Sequence, residues 1–139
     1  MLTRAQIEAR IPHAGAMCLL DAVLRWDATT IECHAGAPTA AHPLARAQGV
    51  PAVAAVEYAA QAAAVHGALL DRSETPRAGL LAKLVDVELA ANPFGGASGS
   101  LTVRAELLSR VDAGCMYLFE VSTLQARIAR GRLLVAFTP

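Results

Sequence analysis

Between Pro51 and Asp71 the chain carries the stretch that most limits its fold. Ala52–Leu70 is dominated by alanine, the best intrinsic helix former, and holds no proline and no glycine before Gly67. It predicts one long helix. Pro51 suits a position just before or at the first turn, where a missing N–H is no loss. A surface helix is polar along one face, whereas this one is apolar nearly all round, the pattern of a helix enclosed by other structure. Glu57 and Gln61 are then the anomaly. They stand at i and i+4 and share a face, and a carboxylate set in apolar surroundings has to be paired, protonated or used. His66 lies about half a turn round from Glu57 and faces the other way.

The rest of the chain has to supply the enclosure. Its 139 residues suffice for one sizeable core and predict a single domain over 1–139. A hydrophobic share of 55% with a mean hydropathy of +0.40 exceeds what such a core hides, so a subunit interface and an obligate oligomer are expected. Residues 50–70 are long enough to span a bilayer, but alanine adds little to insertion and a central Glu57 costs about 2.5–3.5 kcal/mol, which argues against a transmembrane helix. Twelve basic and twelve acidic residues cancel, leaving no overall field to draw nucleic acid or an anionic membrane. The opening MLTRAQIEAR alternates charge with apolar residues and lacks the apolar segment of a secretory signal, so a cytoplasmic protein is expected. Cys18, Cys33 and Cys115 are odd in number and widely spaced, unlike a disulfide framework or a zinc site, and read as small buried apolar residues.

Thr3 can cap a short helix over 4–10, ended by Ile11 and Pro12. After a loop over 13–16, residues 17–25 and 28–35 read as two strands about a turn at Trp26 and Asp27, the second supported by the β-branched Thr29, Thr30 and Ile31. The stretch 36–51, with three prolines and two glycines, is too long for a mere connection. Beyond the central helix, 71–77 is a polar linker and 80–89 alternates as a half-buried strand. A glycine-rich turn over 90–100 follows, then strands over 101–111, 115–124 and 125–137. Gly131 inside the last strand points to a bulge there. This order predicts an α+β fold in which a curved antiparallel sheet wraps round the long central helix. Such a sheet leaves an edge strand, which pairing across a two-fold axis would protect.

A loop histidine stands ahead of a helix that opens with a glutamate. A carboxyl withdrawn from water favours its protonated form, and a loop histidine can accept a proton near neutral pH, so Glu57 and His42 read as a candidate acid and base. The N–H groups of the first turn, at Ala52 and Val53 onward, are placed to meet a carbonyl oxygen on which negative charge develops. Each residue has a plainer reading. Glu57 with Gln61 is equally a hydrogen-bonded polar pair at a subunit interface, and His42 before Pro43, taken alone, reads more simply as a loop histidine. His13 orders the loop before the first strand, His34 and His66 show no partner, and Arg127, Arg130 and Arg132 are solvated strand charges. No P-loop, nucleophile elbow, dinucleotide fingerprint or cluster of metal ligands is present in the sequence.

The run IPHAGAMCLLDAVLRW over 11–26 resembles the opening of the hotdog-fold 3-hydroxyacyl-acyl-carrier-protein dehydratases, with their Pro-His pair, apolar residues and Asp. His42-Pro43, then Pro51 and Glu57 with Gln61 four residues on, is similar to that family's loop histidine and helix motif. The C-terminal strands keep the same layout, so the resemblance covers nearly the whole chain and is closest to the small dehydratase-like proteins of aryl polyene-type pathways. It implies a hotdog fold and dehydration of a 3-hydroxyacyl thioester on an acyl carrier protein to a trans-2-enoyl thioester, in fatty acid- or polyene-like biosynthesis. It implies His42 as the base next to the thioester carbonyl, Glu57 as the acid for the departing 3-hydroxyl, and Pro51, Ala52, Val53 and Gln61 on the substrate side. By the same resemblance each site joins His from one subunit to Glu from the other, in a homodimer or a heterodimer with a paralogous hotdog subunit. The substrate rides on phosphopantetheine, and no metal or other cofactor is implied. Two further hotdog roles stand behind this one: a non-catalytic subunit that stabilises an active paralogue, and an acyl thioesterase.

Overall fold

A computed structural model describes residues 1–12, 15–72, 79–94 and 99–137. Leu2–Thr3 (β1) runs straight into the helix Arg4–Glu8 (α1). Thr3 closes a capping box: its hydroxyl accepts the Gln6 N–H at 3.4 Å, and its own N–H donates to Gln6 Oε1 at 2.9 Å. Arg4 then binds the next segment. Its guanidinium donates to the carbonyls of Gly15 at 2.8 Å and Cys18 at 2.6 Å and to Asp21 Oδ1 at 3.0 Å, while Asp21 Oδ2 accepts the Gly36 N–H at 2.6 Å. A strand beginning at residue 17 is therefore not what forms. Gly15–Met17 is a 3₁₀ turn and the carbonyl of Cys18 goes to an arginine, so β2 is only Ala22–Trp26 and β3 is Thr30–Ala35. His13 lies outside the described residues. Asp27 draws the turn between β2 and β3. Its Oδ1 accepts the N–H groups of Thr29 at 2.9 Å and Thr30 at 2.8 Å and both hydroxyls, which holds its carboxyl down at about 2.

The long helix forms as expected, with a 3₁₀ turn Ala52–Ala54 leading into Ala55–Leu70 (α2). Four strands follow: Gly79–Leu89 (β4), Leu101–Val111 (β5), Gly114–Ser122 (β6) and Arg127–Phe137 (β7). The last turn, which has neither Gly nor Asn, is closed by Thr123, whose hydroxyl accepts the N–H groups of Gln125 and Ala126, both at 3.2 Å. Among the described residues seven strands make one antiparallel sheet in the order β1-β2-β3-β5-β6-β7-β4, with β4 at its edge. One face of that sheet grips α2. Alternate residues of β3, β5 and β6, among them Ile31, Val103, Ala105 and Phe119, are buried against Ala59, Ala62 and Val65 of the helix. Each large aliphatic side chain buried in this way is worth about 1.5–3 kcal/mol.

The enclosure is incomplete. Val53 is 58% exposed, Ala64 is exposed, and Glu57, Ala60 and Gly67 are half-buried, a stripe at alternating spacings of four and three along one side of α2. A Cβ placed on Gly67 would meet nothing within 4 Å. The strand β4, expected to be half-buried, is exposed along most of its length, and Leu80 reaches 64%. The helix reads as apolar all round because this uncovered stripe, too, is almost free of charge.

Close contacts supply one thing the sequence does not reveal and correct another. His66 has two partners. Wholly buried, it donates from Nε2 to the Asp27 carbonyl at 2.8 Å, which leaves Nδ1 to accept the Tyr117 hydroxyl at 2.6 Å. The bulge expected at Gly131 belongs instead to β4. Between Val85 and Glu88 the register shifts, Asp86 takes a left-handed φ of 52°, and Val87 presses on Gly131, where a Cβ would lie 2.9 Å from Val87 Cγ2 and 3.0 Å from its Cα.

Across the sheet's outer face runs a row of opposed charges, one from each of β2, β3, β5, β6, β7 and β4 in turn: Arg25, Glu32, Arg104, Glu120, Arg130 and Glu88. The end rungs are ion pairs, Arg25 to Glu32 and Arg130 to Glu88, both at 2.7 Å. Arg127 stands 4.0 Å from Glu120 and Arg132 pairs with Asp86, so the C-terminal arginines are strand charges in ion pairs. Exposed pairs of this kind contribute about 0–1 kcal/mol each.

Gly131→Ala should destabilise the protein by about 1–3 kcal/mol in urea unfolding, because the intruding atom is backbone as well as side chain; an unchanged midpoint would show that β4 yields at no cost. Burial holds His66 and His42 below the ordinary histidine value, so the unfolded chain takes up those protons first. Stability should therefore be full above about pH 6.5 and fall as pH drops through it, read as a lower urea midpoint at about pH 5.5 than at about pH 7.5.

Candidate active site

Of the two polar residues that share a face of α2, only Gln61 is buried. Its Oε1 accepts the Leu19 N–H at 2.9 Å, and its Nε2 donates to the Met17 carbonyl at 2.8 Å and to Glu57 Oε1 at 3.3 Å. It fastens the helix to the segment before β2 and steadies the carboxylate one turn ahead. Gln61 also lines the groove on which Glu57 opens. Glu57, expected inside an apolar enclosure, stands half-buried on the uncovered stripe.

Glu57 opens on a groove of about 260 Å³ between that stripe, the start of β4 and the ends of β6 and β7. Ala64, Leu81, Tyr117 and Phe137 line it, and its residues on α2 run from Glu57 to Ala68, about 16 Å along the axis. Arg110, which nothing in the sequence singled out, also lines it. Its guanidinium pairs with Asp71 at 2.6 Å and lies 5.8 Å from the Phe137 ring centre. The 3₁₀ turn places the other expected residues at the helix start. Pro51 is half-buried, Ala52 is buried and Val53 is exposed. Ala54 donates to Pro51 and Ala55 to Ala52, so the N–H groups of Ala52 and Val53 stand ahead of the helical ladder.

His42 is held elsewhere. Its own N–H donates to the Thr39 carbonyl at 3.0 Å and its carbonyl accepts the Ala45 N–H at 2.9 Å, a tight double turn within the 36–51 loop. The loop is moored by Val50 and Phe94, which exchange N–H···O bonds of 2.8 and 2.9 Å. The imidazole accepts the Leu44 N–H on Nδ1 at 3.0 Å and meets Tyr58 Oη with Nε2 at 2.9 Å, its ring nearly parallel to the phenol at 5.9 Å between centres. Tyr58 is buried and packs edge-on against Phe94. Burial lowers the His42 pKa and pushes the Tyr58 phenol up to about 12, so both are neutral at physiological pH. Tyr58 was missed at the sequence level. The available signal was a lone phenol in an alanine helix, since a buried Tyr needs a polar partner.

Tyr58 and Glu57 are adjacent on the helix, so their side chains diverge by about 100°. His42 is not among the residues that line the Glu57 groove. A single chain therefore offers the two groups to different spaces. Among the described residues no group of three or more His, Cys, Asp or Glu could hold a metal ion, and burial pushes the Cys33 thiol up to about 12, far from a reactive thiolate.

No curated protein matches this sequence. Among solved structures, the dehydratase heterocomplex ApeI:P of Xenorhabdus doucetiae superposes with a TM-score of 0.82 at 21% identity, over 100% of this chain and 93% of that one. A mutant of the thioesterase PA1618 of Pseudomonas aeruginosa gives 0.70 at 12% identity over 100% and 96%, and a mutant of the thioesterase SAV0944 of Staphylococcus aureus gives 0.65 at 13% over 85% and 93%. At these identities the likeness establishes the fold, a hotdog: one long helix wrapped by an antiparallel sheet. The sequence also matches the model of the ApeP-like family, described as ApeP dehydratase, over residues 5–139, and the chain therefore belongs to that family.

Proposed function

We propose that this chain serves the dehydration of a 3-hydroxyacyl thioester, borne on the phosphopantetheine arm of an acyl carrier protein in the cytoplasm, to the trans-2-enoyl thioester. The observation that carries the reading is the placement of Glu57: a carboxyl at the start of α2, steadied by Gln61, at one end of an apolar groove long enough for an acyl chain. A histidine takes the proton from C2 and the electron pair becomes the C2–C3 double bond. The C3–O bond breaks as Glu57 gives its proton to the hydroxyl, and water leaves. The forward N–H groups of Ala52 and Val53, at the positive end of the helix, suit the thioester oxygen as charge gathers on it. Proton exchange with solvent restores both groups.

Because His42 and Glu57 of one chain face different spaces, each site takes its acid from one subunit and its histidine from the other. The exposed edge β4 and the uncovered stripe of α2 supply the surfaces for that dimer. The likeness to a heterocomplex favours a paralogous hotdog subunit as partner over a second copy.

Intact-mass analysis of a 3-hydroxyacyl carrier protein tests the reading. Loss of one water on incubation with the chain and its partner is expected; release of free carrier thiol would make the protein a thioesterase. Glu57→Gln keeps size and hydrogen bonding but removes the transferable proton, so dehydration should fall by about 100-fold or more with the fold intact. Undiminished turnover in that variant would remove Glu57 from the chemistry. The dimer should keep its mass in about 1 M salt, which screens surface charge and leaves apolar burial in place; a monomer at high salt would contradict the apolar interface.

A further inference from the structure

We infer that His42 of this chain is set as a hydrogen-bond donor and not as a base, so that the chain gives dehydration its acid, Glu57, and takes the base from its partner. The consequence for turnover rests on the dehydratase reading. The state of the ring does not.

A backbone N–H can only donate. With the Leu44 N–H 3.0 Å from Nδ1, that nitrogen must present its lone pair, and the single proton of a neutral imidazole then sits on Nε2, aimed at Tyr58 Oη 2.9 Å away. Turning the ring over would put carbon atoms in both places and lose both bonds, so the two contacts fix the orientation as well as the tautomer. To act as a base at Nε2 the ring would need its proton on Nδ1, pointing into the Leu44 N–H. Even in that form the Nε2 lone pair would face Tyr58, whose hydroxyl can rotate and donate to it. Tyr58 has no room to withdraw, being buried against Phe94 on the gripped side of α2. Tyr58 and the Leu44 N–H are positioning groups, and what they position is a ring with no lone pair to spare. The wholly buried His66 is held in the same way, with a carbonyl on its Nε2 and a hydroxyl on its Nδ1, at a place with no access to substrate.

In a dimer with two shared sites, the site completed by His42 does not begin dehydration. The competent one combines Glu57 with the histidine of a paralogous subunit whose ring is free, and two copies of this chain alone have no working site.

The spectrum of the histidine side chains in the ¹⁵N-labelled full chain near neutral pH tests the ring directly, with His42 assigned by its loss in His42→Gln. A protonated Nε2 and unprotonated Nδ1 are expected, and Tyr58→Phe should move the His42 Nε2 signal while leaving His66 unmoved. A proton on Nδ1, or a rapidly exchanging mixture of tautomers, would overturn the inference. In the dehydration assay the chain alone should leave the 3-hydroxyacyl carrier unchanged, while its complex with the paralogous subunit converts it and Glu57→Gln in this chain slows that complex by about 100-fold. Turnover by the chain alone that is lost in His42→Ala would also overturn it. If the complex converts nothing, the dehydratase reading fails, and the tautomer still decides the state of His42.

Discussion

A helix in which about half the side chains end at Cβ has little of its own with which to fill a core, so whatever surrounds it must come close. In this chain the sheet does so. The large side chains under α2, Ile31, Tyr117, Phe119 and Leu133, belong to strands, and the helix contributes mainly a narrow surface for them to press on. Against that plain surface four polar side chains reach different partners. Gln61 bonds the backbone before β2, His66 bonds Asp27 and Tyr117, Tyr58 bonds the ring of His42, and Glu57 opens on the groove. Three of them fix segments far apart in sequence to one axis. The fourth is thereby held at a defined place with a defined neighbour, the amide of Gln61.

Much of this was legible beforehand because it depends on local pattern. Alanine content gave the helix, alternation gave β5, and Thr3 gave the first cap. What could not be read depends on atoms distant in sequence. The run 17–21 has the composition of a strand, yet Arg4 and Gln61 take its carbonyls and N–H groups, and neither partner is visible from the run itself. Gly131 signalled an irregularity correctly but not its owner, because the glycine makes room for a bulge that lies in β4. The outward stripe of α2 was indistinguishable from the inward ones, since it too is almost free of charge.

The candidate site shows the same division at finer scale. Residue types and spacing made His42 and Glu57 candidates, and the family resemblance supplied the roles expected of them. The chemistry open to a histidine, however, turns on which nitrogen holds the proton, and that depends on one backbone N–H two residues on and one phenol sixteen residues on. In this chain those two groups keep Nδ1 as the acceptor of the Leu44 N–H and set Nε2 against the Tyr58 hydroxyl.

The row of charges on the outer face bears on how the sheet reaches its pairing at all. An antiparallel strand can slide by two residues and still point its apolar side chains inward, so burial alone does not reject that error. The charges do. Glu106 lies two residues from Arg104 on the same face of β5, and a slip in one direction sets it opposite Glu120 of β6 or Glu32 of β3, acid against acid where an arginine had been. The row therefore matters less as an adhesive, where exposed pairs contribute little, than as a proofreader that discards near-miss alignments while strands are still finding each other. Its influence falls on the yield and speed of correct folding, and it is strongest at low ionic strength, where like charges are felt before the sheet has closed.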